Sequence, residues 1–269
     1  MTGYFVLVCA VSWSFFYIAS VLPDSVARAV VFDAGVFTPG ILALVFTAWQ
    51  QRSRGVRKLI ARLVEVDVPV WCYVFAVSYM AAAKLITATM FRAIYGQWPS
   101  FGSEAWYVIA AATVFSTVVG GQAGEELGWR GYGLPRLVSR LGLRSASIII
   151  GVVWAVWHLP LFFWFPEADK FGQSFPTYAL GGVAISVAMT WLYARANGSL
   201  FLMMLMHSAI NQSVGIVSSA VPGATNAFAL SSSPAAWITV GVLWAFGIYA
   251  LVGMPRHAEK PHSALHRPD

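Results

Sequence analysis

The chain has 269 residues, of which 58% are hydrophobic and only 10% are charged. A soluble domain carries about 25% charged residues, so this composition argues against an ordinary soluble protein and indicates a polytopic membrane protein. The formal net charge of +6 comes from short loops with no Lys/Arg-rich aromatic stripe, and it therefore indicates membrane topology rather than nucleic-acid binding.

Apolar runs predict an all-α membrane fold with about eight transmembrane helices and a polar site inside the membrane. A bilayer core requires roughly 20 apolar residues in a helix, and no alternating strand pattern is present. The predicted spans are 3–22, 30–50, 68–90, 105–126, 146–165, 178–195, 199–219 and 235–253. The first Lys or Arg is Arg28, so the first span has no basic n-region, and we expect a retained helix rather than a cleaved signal.

Basic residues predict the orientation of these spans. They cluster after spans two, four, six and eight, which places those loops on one side of the membrane. By the positive-inside rule, both termini are then expected in the cytoplasm. These residues are Arg52, Arg54, Arg57, Lys58 and Arg62, then Arg136, Arg140 and Arg144, then Arg195, and finally Arg256, Lys260 and Arg267. The opposite loops hold only Arg28, Arg92 and Lys170.

The chain divides into three parts of one integral domain. Residues 1–104 form the first membrane helices, and their basic segment 51–67 is either an amphipathic helix on the inner surface or an ordinary loop. Residues 105–219 carry the polar clusters described below. Residues 220–269 hold the last span and a polar, Pro-rich tail that we predict to be disordered. The tail histidines, which are His257, His262 and His266, lack the spacing of a metal site.

Two adjacent glutamates, Glu125 and Glu126, lie in an otherwise apolar stretch. A charge inside a bilayer costs several kcal/mol, roughly 3 on insertion scales, so such residues are candidate functional residues. Glu126 and Arg130 are four residues apart, which predicts an ion pair on one helix face. Glu125 points about 100° away from Glu126. It is therefore expected to meet another partner, and a carboxylate in a low-dielectric pocket suits a general base.

Histidines on two other predicted spans complete the constellation. Trp154 and His158 are four residues apart, and so are His207 and Asn211, so each pair shares a helix face. A single membrane histidine is often only a hydrogen-bonded structural residue, but the three clusters together favour a catalytic or transport site. Spans four, five and seven are predicted to surround one water molecule. Glu125 would take its proton, and the other polar side chains would hold it or stabilise the oxyanion.

Two features of the helix that carries Glu125 add expectations. Gly120, Gly124 and Gly128 recur every four residues, which allows another helix to approach closely, although simple packing also explains them. Gly131, Gly133 and Pro135 are expected to end the helix.

The predicted spans place the candidate site residues at different depths in the membrane. At 1.5 Å per residue, His158 lies roughly 18 Å past the start of span five and His207 roughly 12 Å past the start of span seven, whereas Glu125 is near the inner end of span four. We therefore expect span four to extend further and span five to begin below the membrane.

Three short motifs occur in order. Glu125, Glu126 and Arg130 match Glu-Glu-x-x-x-Arg, Trp154 and His158 match an aromatic residue followed four positions later by His, and His207 and Asn211 match His-x-x-x-Asn. Over about residues 105–219 the chain thus resembles the CAAX-protease and bacteriocin-processing (Abi) family of intramembrane proteases, and within it the type 2 CAAX prenyl proteases.

The resemblance implies an eight-helix membrane protease with a cavity open to the cytoplasm. Eukaryotic relatives remove the last three residues of prenylated CAAX proteins, and prokaryotic ones are linked to bacteriocin maturation, self-immunity and surface-protein processing. We expect a prokaryotic cell membrane as the location. The expected catalytic residues are Glu125, His158, His207 and Asn211, with Glu126, Arg130 and Trp154 in supporting roles.

The sequence leaves two alternatives for metal dependence, a zinc site and a metal-free site. Zinc held by Glu125, His158 and His207 is possible in principle. However, the chain has no His-Glu-x-x-His helix, and the amide of Asn211 is a poor zinc ligand, so we expect a metal-free site without a cofactor. The expected partners are a peptide or protein substrate, with or without a lipid group, and the bilayer, but no nucleic acid.

The rival functions are a non-catalytic membrane immunity or partner protein, and a transporter or proton relay that uses the same polar groups. No paired broken helices support the transporter. Two further charged residues in predicted spans, Asp33 and Lys84, could be structural.

Overall fold

The computed structural model describes residues 1–165, 174–219, 228 and 233–255. Within these residues the fold is all-α, as predicted, and the only bridge between extended residues pairs Phe101 with Val217. The predicted tail with its three histidines, and Lys170, lie outside the described residues. The α-helices are α1 (Thr2–Val21), α2 (Val26–Ala61), α3 (Val70–Tyr95), α4 (Trp106–Val119), α5 (Gln122–Glu126), α6 (Leu134–His158), α7 (Leu161–Trp164), α8 (Phe175–Arg195), α9 (Leu200–Ser213) and α10 (Pro234–Gly253).

Six helical segments are long and apolar enough to cross a membrane, and the segments Trp106–Val119 and Leu200–Ile216 are shorter apolar helices. These helices indicate an integral membrane protein, whereas the number of about eight crossings stays a prediction. Helices α1, α3, α8 and α10 lie close to predicted spans. Large apolar side chains such as Trp49 and Trp106 are exposed on the outside of the bundle, as expected for a surface that faces lipid.

The basic segment after the second span is helical. Helix α2 is interrupted at Arg52, whose backbone angles are φ 55 and ψ −159, but it continues to Ala61. A 3₁₀ turn, Arg62–Val64, follows. The loop alternative for 51–67 is therefore wrong for residues up to Val64. The Arg62 guanidinium donates to the carbonyl of Gly198 and to the Tyr193 hydroxyl, which joins this segment to the turn between α8 and α9.

The predicted span 105–126 is not one helix. Helix α4 ends at Val119, the backbone of Gly120 is extended, and a new helical segment starts at Gln122. That segment continues through a π-helical turn, Leu127–Gly133, into α6.

The prediction that Gly131, Gly133 and Pro135 end the helix is therefore wrong. Pro135 lies at the start of α6, directly after the wider π turn. Its missing N–H costs less there than in the middle of a regular α-helix.

The chain folds back within the range of α6. Gly142 has φ 77 and ψ 169, a left-handed φ that glycine adopts without the penalty of a side chain. Residues before and after it meet: the rings of Trp129 and Trp157 are 5.9 Å apart, and Trp154 bonds to Glu125. The helix with the glutamates thus extends to Gly142, and the helix with His158 starts there. The helix with Glu125 does continue beyond residue 126, but it starts anew at Gln122 and is not an extension of the helix that begins predicted span four. The helix with His158 begins before residue 146, and its start below the membrane stays a prediction.

Helix α2 packs tightly against the helix that carries the glutamates. A Cβ atom on Gly40 would lie 2.6 Å from the carbonyl oxygen of Gly124, and one on Gly128 would lie 2.5 Å from Cβ of Pro39. Only glycine permits this approach, so the close contact predicted from the glycine spacing is confirmed. The contact fixes the backbone directly beside Glu125.

Helix α9 ends earlier than the predicted span 199–219. A 3₁₀ turn, Val214–Ile216, and an extended residue, Val217, follow it. Buried Lys84 donates to the carbonyl oxygen of Val217 at 3.0 Å and to the Ser219 hydroxyl at 3.2 Å. These contacts assign Lys84 a structural role, and Asp33 is exposed on α2.

Candidate active site

Glu126 lies at the centre of a sealed ionic cluster. Arg130 donates from Nη1 to Glu126 Oε1 at 2.8 Å, and Nδ1 of His207 lies 2.9 Å from the same oxygen. Both Glu126 and Arg130 are 0% exposed. The ion pair predicted from the four-residue spacing is therefore confirmed, and it also holds the histidine of α9. The π-helical turn that contains Arg130 lies beside the candidate site, where such turns are frequent.

Glu125 points to a different partner, as the helix geometry predicted. Its Oε2 accepts a hydrogen bond of 2.7 Å from Nε1 of Trp154. The side chain remains 7% exposed, whereas Glu126 is fully enclosed. Oε1 of Glu125 makes no hydrogen bond to the part of the chain that the structure describes. One carboxylate of the pair is thus structural, and the other is accessible.

Trp154 connects the groups of the site. Its ring centroid lies 5.5 Å from that of His158 and 5.1 Å from that of His207. The guanidinium carbon of Arg130 is 5.2 Å from the Trp154 ring, in cation–π geometry. The sequence marked Trp154 only as a motif neighbour of His158. The structure shows that it contacts both histidines, Arg130 and Glu125.

The hydrogen bonds assign the ring protons of both histidines. Nδ1 of His158 lies 2.8 Å from the backbone oxygen of Trp154, and Nδ1 of His207 faces the Glu126 carboxylate. A carbonyl and a carboxylate only accept hydrogen bonds, so Nδ1 is the donor in both rings. Nε2 of His207 is therefore the ring atom left for chemistry, as an acceptor in a neutral ring and as a donor in a charged one.

The site holds more acidic than basic side chains. Two carboxyl groups, Glu125 and Glu126, and one guanidinium, Arg130, are buried together. An imidazolium at His207 would neutralise the remainder, which matters because an uncompensated charge is costly in a low-dielectric interior.

Asn211 lies outside this hydrogen-bonded cluster. It follows His207 by one turn on α9, but its side chain is exposed. Among the described residues, no hydrogen bond joins it to the glutamates or histidines. The structure therefore brings together six of the seven predicted residues, whereas Asn211 is exposed on α9.

Tyr178 of α8 is a site neighbour that no motif indicated. Its ring centroid is 5.4 Å from that of His158. The only signal in the sequence is a hydroxyl-bearing aromatic residue within the first turns of an apolar helix. That signal is common at membrane interfaces, so it could not single out this residue.

The arrangement of the donors bears on a metal site. Across residues 1–165, 174–219 and 233–255, no group of three or more His, Cys, Asp or Glu side chains is arranged to hold a metal ion. Hydrogen bonds occupy Nδ1 of His207 and Oε2 of Glu125 but not Nε2 of His207 or Oε1 of Glu125 within these residues.

The carboxylates and imidazoles of this chain are enclosed by apolar helices. The chain is therefore a membrane protein with a polar site between its helices. Residues 103–213 match the sequence model of a family described as type II CAAX prenyl endopeptidase Rce1-like. The matched segment contains all three motifs, so the predicted resemblance to CAAX-type proteases is confirmed over that segment.

A curated relative agrees with this match. The chain is similar to CAAX prenyl protease 2 of Methanococcus maripaludis, with 35% identity over 95 residues. These residues are 32% of this chain and 34% of the relative, so the chain spans about a third of the length of the curated relative that it matches.

Proposed function

We propose that the chain is an intramembrane endopeptidase that hydrolyses peptide bonds with a water molecule activated by Glu125. One observation carries the proposal: Glu125 is fixed by Trp154 through Oε2 and remains accessible, while the adjacent Glu126 is sealed in an ion pair. The match of residues 103–213 to a protease family supports the same reaction.

Each step of the proposed reaction uses a group of the cluster. Glu125 accepts a proton from the water, and the resulting hydroxide attacks the carbonyl carbon of the peptide bond. His207, protonated and held by Glu126, stabilises the oxyanion through Nε2–H. The C–N bond then breaks, and the leaving nitrogen takes the proton from the Glu125 carboxyl group.

His158 and Asn211 have separate proposed roles. The hydrogen bond from His158 Nδ1 to the Trp154 carbonyl fixes the imidazole ring, and His158 is proposed to orient the water. The exposed carboxamide of Asn211 would contact the substrate from the open end of the site. Glu126, Arg130 and Trp154 position these groups and do not react.

The reaction is proposed to need no metal. In support, the His, Cys, Asp and Glu side chains of the described residues include no group of three arranged to hold a metal ion. Zinc through Glu125, His158 and His207 is the competing hypothesis, and it predicts that chelators abolish cleavage.

The proposed substrate is the C-terminal segment of a CAAX-like or membrane-associated peptide, with or without a lipid group. The name of the archaeal relative, CAAX prenyl protease 2, supports this class. The proposed location is a prokaryotic cell membrane with both termini in the cytoplasm, because basic residues such as Arg57 and Arg140 follow predicted spans two and four, whose ends fall on one side.

Cleavage of two peptides by the purified full chain in lipid nanodiscs tests the proposal. One peptide ends in a prenylated CAAX sequence, and the other has the same sequence without the lipid. We expect wild-type protein to release the C-terminal tripeptide from at least one of them, and Glu125→Gln, which keeps the size of the side chain, to release none. Binding without cleavage would favour a non-catalytic partner protein, and ion flux without cleavage would favour a transporter.

A further inference from the structure

A second polar cavity lies away from the candidate active site. It has a volume of about 450 Å³, and its walls come from α1, α2, the π-helical turn and the first part of α6. Its principal lining residues are Tyr4, Phe46, Gln50, Tyr132, Arg136 and Arg140. Nothing in the proposed peptidase reaction uses this cavity.

Positive charge dominates the cavity. Two arginines line it, and none of the lining residues is acidic. The salt bridges among the described residues involve Glu126 alone as the acid, so neither arginine is neutralised there. An uncompensated pair of guanidinium groups in a concave site favours an anionic ligand.

Arg136 is held in a fixed orientation. Its Nη1 donates to the Tyr132 carbonyl at 3.0 Å, and its Nη2 donates to Gln50 Oε1 at 3.1 Å. The guanidinium carbon lies 3.6 Å from the Tyr132 ring centroid, so the group is stacked on that ring. A guanidinium has five N–H donors, and two are used here. The remaining donors are pre-oriented, which suits the oxygens of a phosphate group.

The cavity borders apolar surface. The ring of Phe46, one of its walls, packs 6.4 Å from that of Trp49, and Trp49 is 80% exposed. In the sequence, Arg136 and Arg140 belong to a basic stretch after predicted span four that is expected to face the cytoplasm, and in the structure they lie in the first part of α6. A ligand with an anionic head and an apolar tail matches this junction, since basic pockets between membrane helices bind acidic lipid headgroups.

We propose that this cavity binds the phosphate group of an anionic phospholipid, with the acyl chains lying along the exposed apolar face of α2 beside Trp49. Arg136 and Arg140 contact the phosphate, and Phe46 contacts the upper part of the lipid tail. The lipid would stabilise the contact of α2 with the helix that carries Glu125, because the cavity is lined by residues from both.

Native mass spectrometry of the purified full chain tests the proposal with two probes, dioleoylphosphatidylglycerol and dioleoylphosphatidylcholine. Wild-type protein is expected to bind the anionic lipid more tightly than the zwitterionic one. Arg140→Gln should weaken binding of phosphatidylglycerol about tenfold, because it removes one charge-assisted hydrogen bond. The affinity for phosphatidylcholine should not change. Arg140 is exposed and has no hydrogen bond within the described residues, so this variant should fold normally.

The matched control is Arg57→Gln, which removes the same charge from an exposed position outside the cavity. It should bind both lipids as the wild type does. Equal loss in the two variants, or equal affinity of the wild type for the two lipids, would overturn the proposal, because charge alone would then explain binding. Displacement of phosphatidylglycerol by equimolar inorganic phosphate would show a free-phosphate site and overturn the lipid assignment. None of these outcomes depends on peptidase activity.

Discussion

Replacement of Trp154 by Phe tests how Glu125 is positioned. The change removes Nε1–H, which donates to Glu125 Oε2 at 2.7 Å, and keeps an aromatic ring between the histidines. The carboxylate then loses the hydrogen bond that fixes it within the accessible side of the site. Since a misplacement of about 1 Å can cost roughly 100-fold in rate, kcat should fall about 10- to 100-fold with little change in KM.

Trp157→Phe is the matched control for this experiment. Trp157 lies on the same helix and is 2% exposed, compared with 4% for Trp154, so both substitutions remove similar buried volume. Its Nε1 has no hydrogen-bond partner among the described residues. Both variants should therefore lose similar thermal stability through reduced packing, but only Trp154→Phe should lose most of its rate.

The assay is initial-rate cleavage of a fluorescent CAAX peptide by purified protein in nanodiscs, with thermal unfolding measured on the same samples. Wild-type kcat in Trp154→Phe would refute the positioning role of the indole N–H. A loss as large in Trp157→Phe would also refute it, because general loosening of the helix would then explain both results.

Four other outcomes follow from the same geometry. Glu125→Gln should reduce the cleavage rate by at least about 100-fold without lowering the melting temperature, because it removes the general base and not a packed group. Arg130→Met should destabilise the fold by about 3–5 kcal/mol, since it removes the guanidinium paired with the fully buried Glu126 and leaves His207 as its remaining partner, and Glu126→Gln in the same chain should restore much of that stability in denaturant unfolding. Tyr178→Phe keeps the ring contact with His158, so kcat should fall about tenfold at unchanged stability if its hydroxyl contacts the reacting groups, and an unchanged rate would remove it from the site. Washing with a zinc chelator should leave the cleavage rate intact, whereas a loss that added zinc reverses would contradict the metal-free reaction.

The sequence predicted which residues form the polar cluster better than it predicted the hydrogen bonds between them. Spacing alone paired Glu126 with Arg130 and directed Glu125 elsewhere, because helix geometry determines which side chains share a face. It could not show that His207 bonds to Glu126, since that contact depends on how α9 packs against α5. The same limit applies to Tyr178, which reaches the site through tertiary packing of α8.

Boundaries were the weakest part of the sequence prediction. The helix break at Gly120 and the chain reversal at Gly142 lie within apolar or mixed segments. Hydropathy is similar before and after each of these glycines, so it does not locate the helix ends. Pro135 looked like a helix end, yet the π turn before it accommodates the missing N–H. Depth arguments anticipated part of this error, because Glu125, His158 and His207 could not meet in the predicted spans. In the structure, the helix with Glu125 starts anew at Gln122 and continues to Gly142.

The double role of Trp154 explains why the two glutamates can be adjacent and still behave differently. Its N–H satisfies Glu125, and its ring lies against the guanidinium of Arg130, which satisfies Glu126. If the indole acts on the reaction only through Glu125, the two substitutions cannot have independent effects on rate. Trp154→Phe introduced into a Glu125→Gln protein should then lower any residual rate by far less than the loss it causes in the wild type. Full additivity would mean that the ring acts on catalysis through the histidines or Arg130, and the hydrogen bond to Glu125 would be structural only.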